Sequence, residues 1–448
     1  MQEKDEYIHH LEAENAKLRA QLVNLEQKLA QLLADKVVKT SQNSSLPPSQ
    51  DKPASKARKS LRRPSERLSG GQEGHPGQTL ECRSQPDEVV NLQTGRCVSC
   101  GQDLGEVAAV FHSRRQVFDL SLPAVKCIEY RAYARICPVC QTKNVGAYPS
   151  LASAPVQYSP QIGSLVSYLA HYQYLPYARL QSLLRDVFGL SLSQGTLANM
   201  LERMYTRSAC WRAEIKKALQ SAQVVGSDET SVPVNGQRQW IWVWQNEEQT
   251  FLQASKQRGY ATVAQVWPEG LPGAILVSDR WAAQLKTPST DKQLCLAHLQ
   301  REVQFLVESE NTPFAHQFKH WLHQVWQAKR QTQQEGQAYC PQARQLQTQL
   351  QVLLQHKLDP DQSPHSRRFL DSMTKYKDWL LTTLYHLEVP PDNNGSERAI
   401  RNVKVKVKVS GMFKSGVDAF CAIRSLIDTA IKKGQNVLHS LHQIYQQA

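Results

Sequence analysis

The chain carries 448 residues with a net charge of +13, and 41% of its residues are hydrophobic. At roughly 100–200 residues per domain, this length gives two to four domains with cores of ordinary size. No apolar run approaches the ~20 residues of a membrane span, and the polar, acidic start MQEKDEYIHH has no signal-peptide pattern. The expectation is a cytoplasmic protein with no membrane partner, its ten cysteines held as reduced thiols. The basic excess points to a polyanionic partner, most often nucleic acid.

Residues 1–39 open with a period of seven. Leu11, Leu18, Leu25 and Leu32 occupy one seam position, and Ile8, Asn15, Leu22 and Leu29 the other. This pattern predicts a coiled coil over residues 4–35, pairing the chain into a homodimer or higher oligomer, with Asn15 setting a parallel register. Residues 40–80 are rich in Ser, Pro and Gly and cannot bury a core, so they read as a linker. From Lys36 to Arg67 nine basic residues face two acidic ones, Asp51 and Glu66. Such an arm either tracks a phosphate backbone or only keeps the chain soluble.

Residues 81–150 hold two pairs, Cys97-Val-Ser-Cys100 and Cys137-Pro-Val-Cys140, with strand-like stretches between them. Two such knuckles can offer four thiolates to one structural zinc ion, a closed site with no position left for catalysis. Of the other six cysteines, Cys82, Cys127, Cys210, Cys295, Cys340 and Cys421, most read as small core residues. Residues 151–221 read as helices. LPYARLQSLLRDVFG followed by LSLSQGTLANMLERM gives a helix, a Gly-containing turn and a second helix with Ser193 as its N-cap. That is the outline of a DNA-binding helix-turn-helix, and equally of any helical domain.

From residue 222 the pattern changes. AQVVGSDETSVPV, RQWIWVWQN and QTFLQAS read as three strands joined by hairpin turns. A helix near 259–267, the strand GAILVSDR, and a short strand running into the helix of CLAHLQREVQFLVE follow. Three strands and then alternating helix and strand is the order of a ribonuclease-H-like α/β core, placed at 222–309. Residues 310–388 are helical and polar and read as an insertion. Residues 389–448 complete the core with a helix carrying Glu397, a basic stretch and a helix near 418–433. The alternation VKVKVKVS reads as an edge strand, and the alternating Trp240, Trp242 and Trp244 as a half-buried one.

Asp228 and Asp279 are placed near strand ends, and Glu397 at the start of a helix. Three converging carboxylates suit two hard divalent ions, Mg²⁺ or Mn²⁺, which clamp the attacking and leaving oxygens of a phosphoryl transfer. Many other Asp and Glu residues of this chain satisfy the same placement, so spacing alone leaves the choice open.

A series of motifs narrows it. NSSLPPSQ, GGQEGHPG, CVSC, CPVC, LPYARLQSLLRDVFGLSLSQGTL, SDETSV, SDRW, CLAHLQRE and PDNNGSERAIRNVKVKVKVSGMFKSG occur in that order. Over nearly its whole length the chain resembles the insertion-sequence-66 family of bacterial transposases. The resemblance implies that Asp228, Asp279 and Glu397 are the catalytic and Mg²⁺-binding triad of DNA strand cleavage and strand transfer. It implies DNA partners, namely the element's terminal inverted repeats and a target, and leaves open whether accessory proteins of the element are required. His298 becomes a candidate for positioning the scissile phosphate, or a helix-start histidine packed on the sheet. Arg280 and Arg301 become candidates for contacting phosphate or neutralising the acids, and Arg398, Arg401, Lys404, Lys406 and Lys408 for holding the DNA backbone. Departures from the family pattern fall at Trp281-Ala282-Ala283-Gln284, Leu296 and Gln300. They touch no metal ligand and leave a catalytically decayed or repurposed DNA-binding protein as the alternative.

Overall fold

The computed structural model describes residues 152–446 without a break, residues 12–26, 28 and 37–44, and short stretches between 84 and 149. Ile8, Leu11, Leu29 and Leu32 of the heptad, the linker from 45 to 83, and Cys97 and Cys137 lie outside the described residues. The chain divides into two units, Lys56–Lys126 and the remainder.

Residues 12–26 form a helix, α1, on which Leu18, Leu22 and Leu25 stand exposed. In the smaller unit Arg96 bridges Asp103 in antiparallel sense around the turn at 98–100. In the larger unit β1 (Ala134–Ile136) and β2 (Lys143–Val145) form a hairpin in which Ile136 pairs with Lys143. The pairs Arg96–Asp103 and Ile136–Lys143 are seven residues apart in each case. Cys100 and Cys140 are both exposed.

Four helices follow: α2 (Pro160–His171), α3 (Tyr177–Phe188), α4 (Gln194–Arg207) and α5 (Ala209–Gln220). Gly189, at φ +67°, ends α3 in the left-handed conformation that glycine adopts without strain. The Ser193 side chain accepts from the Thr196 amide and starts α4. These helices, expected as a unit of their own, share one core with the sheet. Leu184, Leu197, Met204 and Leu219 pack in the same cluster as Trp242, Trp244 and Trp267.

The sheet has the order β5-β4-β3-β6-β7. Strands β3 (Val224–Val234), β4 (Gln237–Gln245) and β5 (Thr250–Ser255) form an antiparallel meander. The first turn is Asn235-Gly236, both at positive φ, the chemistry of a two-residue hairpin loop. After α6 (Tyr260–Val266), β6 (Leu271–Ser278) joins parallel to β3, and after α7 (Ala282–Leu285), β7 (Ser289–Leu294) joins parallel to β6. Such a mixed sheet with helices is consistent with the ribonuclease-H-like class. Alternation along β4 sorts its two faces: Trp242 and Trp244 enter the first core, while Ile241 and Val243 enter a second with Ala399, Ile400 and Val403.

The remaining elements are α8 (Leu296–Ser309), α9 (Pro313–Gln334), α10 (Ala343–Leu353), α11 (Pro364–Lys375), α12 (Thr382–Tyr385), α13 (Asn394–Ser410), α14 (Val417–Lys432) and α15 (Val437–Gln446). Helices α9 to α12 bury Phe314, Phe318, Trp321, Leu350 and Phe369 against Leu299 and Val303 of α8. Edge strand β5 is closed by α14, whose Ser425 and Thr429 hydroxyls accept from the amides of Leu252 and Thr250 at 2.8 and 3.1 Å. Among the described residues no helix is long and apolar enough to cross a membrane.

The structure changes two local expectations. VKVKVKVS is not a strand; it continues α13 without a break to Ser410. Its β-branched residues are weaker helix formers by only a few tenths of a kcal/mol each, and burial of Ile400 and Val403 against β3 and β4 outweighs that. Asp228 is not at a strand end either. It lies in mid-strand, because β3 runs on as a hairpin with β4 after its pairing with β6 stops at Gly226.

One buried group sets a pH response of the fold. His171 is fully buried against Phe420, and neither ring nitrogen has a hydrogen-bond partner among the described residues. Burial, with Lys406 and Arg424 nearby, pulls its pKa from 6.5 to about 3. The unfolded chain takes up this proton below pH 6.5 and the folded one only near pH 3. Stability from His171 is therefore complete above pH 6.5 and falls by about 1.4 kcal/mol per unit as the pH drops through that window. His171→Phe is expected to flatten urea-denaturation stability between pH 6 and 4 by up to one proton. An unchanged pH slope would contradict the buried neutral form.

Candidate active site

The parallel register of β3 and β6 decides where the first two acids go. Val225 pairs with Leu276 and Gly226 with Val277, so two residues further each chain reaches its acid, Asp228 and Asp279. Burial, with Asp279 and Glu229 close by, holds the Asp228 carboxyl well above the usual carboxylate range. Helix α13 brings the third acid across the sheet, with Glu397 in its first turn.

Two glycines permit that approach, each two residues before an acid. A Cβ on Gly226 would lie 2.6 Å from Gln245 Nε2 and 2.8 Å from Ser396 Oγ, and one on Gly395 would lie 2.4 Å from Gln245 Nε2. Gln245 has little freedom to yield, since Lys432 Nζ donates to its Oε1 at 2.8 Å. Asn393, 2% exposed, fastens the start of α13. Its Nδ2 donates to the Ser227 carbonyl at 2.7 Å, and its amide donates to Cys295 Sγ at 3.2 Å. Its own carbonyl accepts from the amides of Ser396 and Glu397.

His298 lies among the acids, in the first turn of α8. Its Nδ1 is 2.9 Å from Asp279 Oδ1, 3.8 Å from Glu397 Oε1 and 3.2 Å from Cys295 Sγ. Burial favours the neutral ring, but Asp279 and Cys295 outweigh it and raise the pKa to about 11. An imidazolium thus supplies the positive charge that the carboxylates require. Arg301 adds a second cation, with Nη2 3.1 Å from Glu397 Oε1. Yet Asp279 Oδ1 is buried with no hydrogen bond aligned on it among the described residues. With the His298 ring 2.9 Å away but not aligned on it, Asp279 Oδ1 and the neighbouring Asp228 carboxyl offer hard oxygen ligands that suit Mg²⁺ or Mn²⁺. Asp279, Cys295 and His298 together form a softer group whose ligand atoms lie within 4.8 Å of one another.

Other charged residues have different engagements. Glu229 faces away from the acids and is met by Arg258 (Nε 2.9 Å, Nη2 2.7 Å) and by Gln284 Nε2 at 2.9 Å. Arg258 stacks on Trp281 and Trp240, 3.6 and 4.7 Å from the ring centres. This cluster escaped the sequence reading, which contains no spacing rule joining residues 229, 258 and 281. Arg280 turns from the acids to Glu302 and Ser372. On α13, Arg398, Arg401 and Lys408 are exposed, whereas Lys404 donates to the Ser231 carbonyl at 3.1 Å and Lys406 is buried.

Comparison with known families identifies the region that holds this sheet. The model of the Transposase IS66 family matches residues 155–419, and a family of unknown function, DUF6444, matches residues 2–81. No curated protein matches the chain. The matched family implies polynucleotidyl transfer on DNA with a divalent metal. Its match spans more than half of the sequence and contains α2 to α13 with all three acids, so the chain belongs to the IS66 family of transposases.

Proposed function

We propose that Asp228, Asp279 and Glu397 form the catalytic centre for DNA cleavage and strand transfer at the ends of an insertion sequence. The observation that carries this reading is the gathering of Asp228 on β3, Asp279 just past β6 and Glu397 on α13 around the half-buried His298. The three carboxylates would hold two Mg²⁺ or Mn²⁺ ions, which when bound supply Lewis-acid charge to the attacking and leaving oxygens. The reaction opens a phosphodiester at the element's end with water, leaving a 3′-hydroxyl. That hydroxyl then forms a new P–O bond with the target strand as the target's own 3′-oxygen leaves. Asp228 and Asp279 are held close because each lies two residues beyond the last β3–β6 pair, Gly226 with Val277. Arg301 orients Glu397, and His298 balances the acids' charge. The exposed Arg398, Arg401 and Lys408 face solvent on the helix that carries Glu397, where a phosphate backbone can reach them. Lys404 instead ties that helix to β3 through the Ser231 carbonyl, and Lys406 is buried.

Three further assignments support a paired DNA complex. The exposed leucines of α1 provide a coiled-coil seam for two or more copies of the chain. Helix α4 presents Asn199, Glu202, Arg203 and Thr206 to solvent after the α3–α4 turn, as a recognition helix does. From the spacing of the two CxxC pairs in the sequence alone, Cys97, Cys100, Cys137 and Cys140 are assigned to one structural zinc ion. Metal analysis of the purified chain should then return one zinc per protomer, lost in Cys100→Ser. Zinc retained in full by Cys100→Ser would refute the assignment.

The test of the function is incubation of purified protein with Mg²⁺ and linear DNA bearing the element's ends. Cut and joined products are expected. Cleavage without joining would make the protein a nuclease, and binding without cleavage a repurposed DNA-binding member of the family.

A further inference from the structure

Away from the acids, α5, β5 and α6 enclose an open cleft of about 640 Å³. Its charged lining residues are Arg212, Lys216 and Lys256, joined by Gln253, Gln257 and Gln265, and no carboxylate lines it. Among the described residues none of the three cations is ion-paired. Two of them lie over aromatic faces: Arg212 over Tyr205 and Phe251 at 5.2 and 5.7 Å, and Lys216 over Trp267 at 5.5 Å. Arg212 Nε is buried without a hydrogen-bond partner. Small-molecule pockets are mostly apolar, whereas this lining of cations and amides has the chemistry that contacts phosphodiester oxygens. The cleft also has a direction. Two residues beyond Lys256, Arg258 reaches Glu229, the neighbour of Asp228.

We infer that this cleft holds the sugar-phosphate backbone of the DNA flanking the cut, as a track leading to the acids. The inference rests on the transposase reading and adds to it a surface outside the reaction centre. Arg212, Lys216 and Lys256 contact phosphates. The aromatic rings keep the first two cations extended, so little side-chain freedom is lost on binding. The amides add hydrogen bonds without selecting a sequence.

The experiment measures binding by fluorescence anisotropy in the full chain carrying Asp228→Asn, so that no cleavage intervenes. The probes are a labelled duplex of roughly 30 base pairs, about three helical turns, and a single strand of the same length. Each is titrated between about 50 and 200 mM salt. Lys216→Gln with Lys256→Gln should lower the slope of log affinity against log salt by about 1.8 on duplex, about 0.9 per lost contact. The exposed Lys256→Gln alone, which removes no packing, should lower it by about 0.9. If only the single strand shows the change, the track carries unpaired DNA; if the duplex shows it, the track carries paired DNA. Either result supports the cleft. Unchanged slopes on both probes would overturn it, as would an equal drop in the control Lys319→Gln with Lys357→Gln, two lysines exposed elsewhere. Failure here leaves the acids untouched, because their test is cleavage by the Asp228-containing protein.

Discussion

Asp228→Asn is expected to lower end cleavage by about a thousandfold or more while leaving DNA affinity within twofold. The substitution preserves shape and removes one negative charge from the oxygen donors. Metal-borne stabilisation of phosphoryl transfer is worth several kcal/mol, and each ~1.4 kcal/mol is a factor of ten in rate. The fold should not suffer. Burial and the neighbouring acids already oppose ionisation of Asp228, so a neutral amide relieves repulsion, and the melting temperature is expected to hold or rise. A stable, fully active Asp228→Asn protein would remove Asp228 from the centre.

The second large effect is expected away from any metal ligand, at Asn393. Asn393→Ala removes the 2.7 Å bond to the Ser227 carbonyl and leaves that oxygen the longer 3.4 Å bond from Gln284. Under-satisfying a buried polar group costs about 1–3 kcal/mol of stability. The larger consequence is positional, since Asn393 ties the helix of Glu397 to the residue before Asp228. A shift of about 1 Å in a reacting geometry costs on the order of a hundredfold in rate. The expected signature is a fall in kcat with KM for DNA unchanged, and a raised Mg²⁺ requirement. A merely structural role would lower stability and leave kcat and the metal requirement as in the parent. Asn393→Asp keeps an acceptor where a donor is needed and should not restore the rate.

Much of this architecture was legible in the residues. The Asn235-Gly236 turn and the two-residue alternation of Trp242 and Trp244 with Ile241 and Val243 mark the meander, because strand geometry imposes that period. Asp279 directly follows an apolar strand, and its neighbour Ser278 ends β6. What stayed hidden depended on contacts distant in sequence. The strand-like alternation VKVKVKVS is helical because burial against the sheet overrides local propensity. Asp228 marks where β3 leaves its partner β6, and no local pattern shows a change of partner. The engagement of Arg280 by Glu302, of Lys404 by Ser231, and of Glu229 by Arg258 likewise arises only when the helices close on the sheet. A basic residue beside an acid motif therefore suggested DNA contact where the folded chain uses some of these cations internally.

The central claim is that three carboxylates, Asp228 on β3, Asp279 just past β6 and Glu397 on α13, bind divalent metal together. Anomalous diffraction from crystals of the full chain grown with Mn²⁺ tests it most directly. The expected result is Mn²⁺ density enclosed by Asp228, Asp279 and Glu397, with His298 moved from its place between Asp279 and Glu397, and the same density lost in Asp228→Asn. Mn²⁺ density elsewhere, with the three acids still gathered around His298, would contradict it.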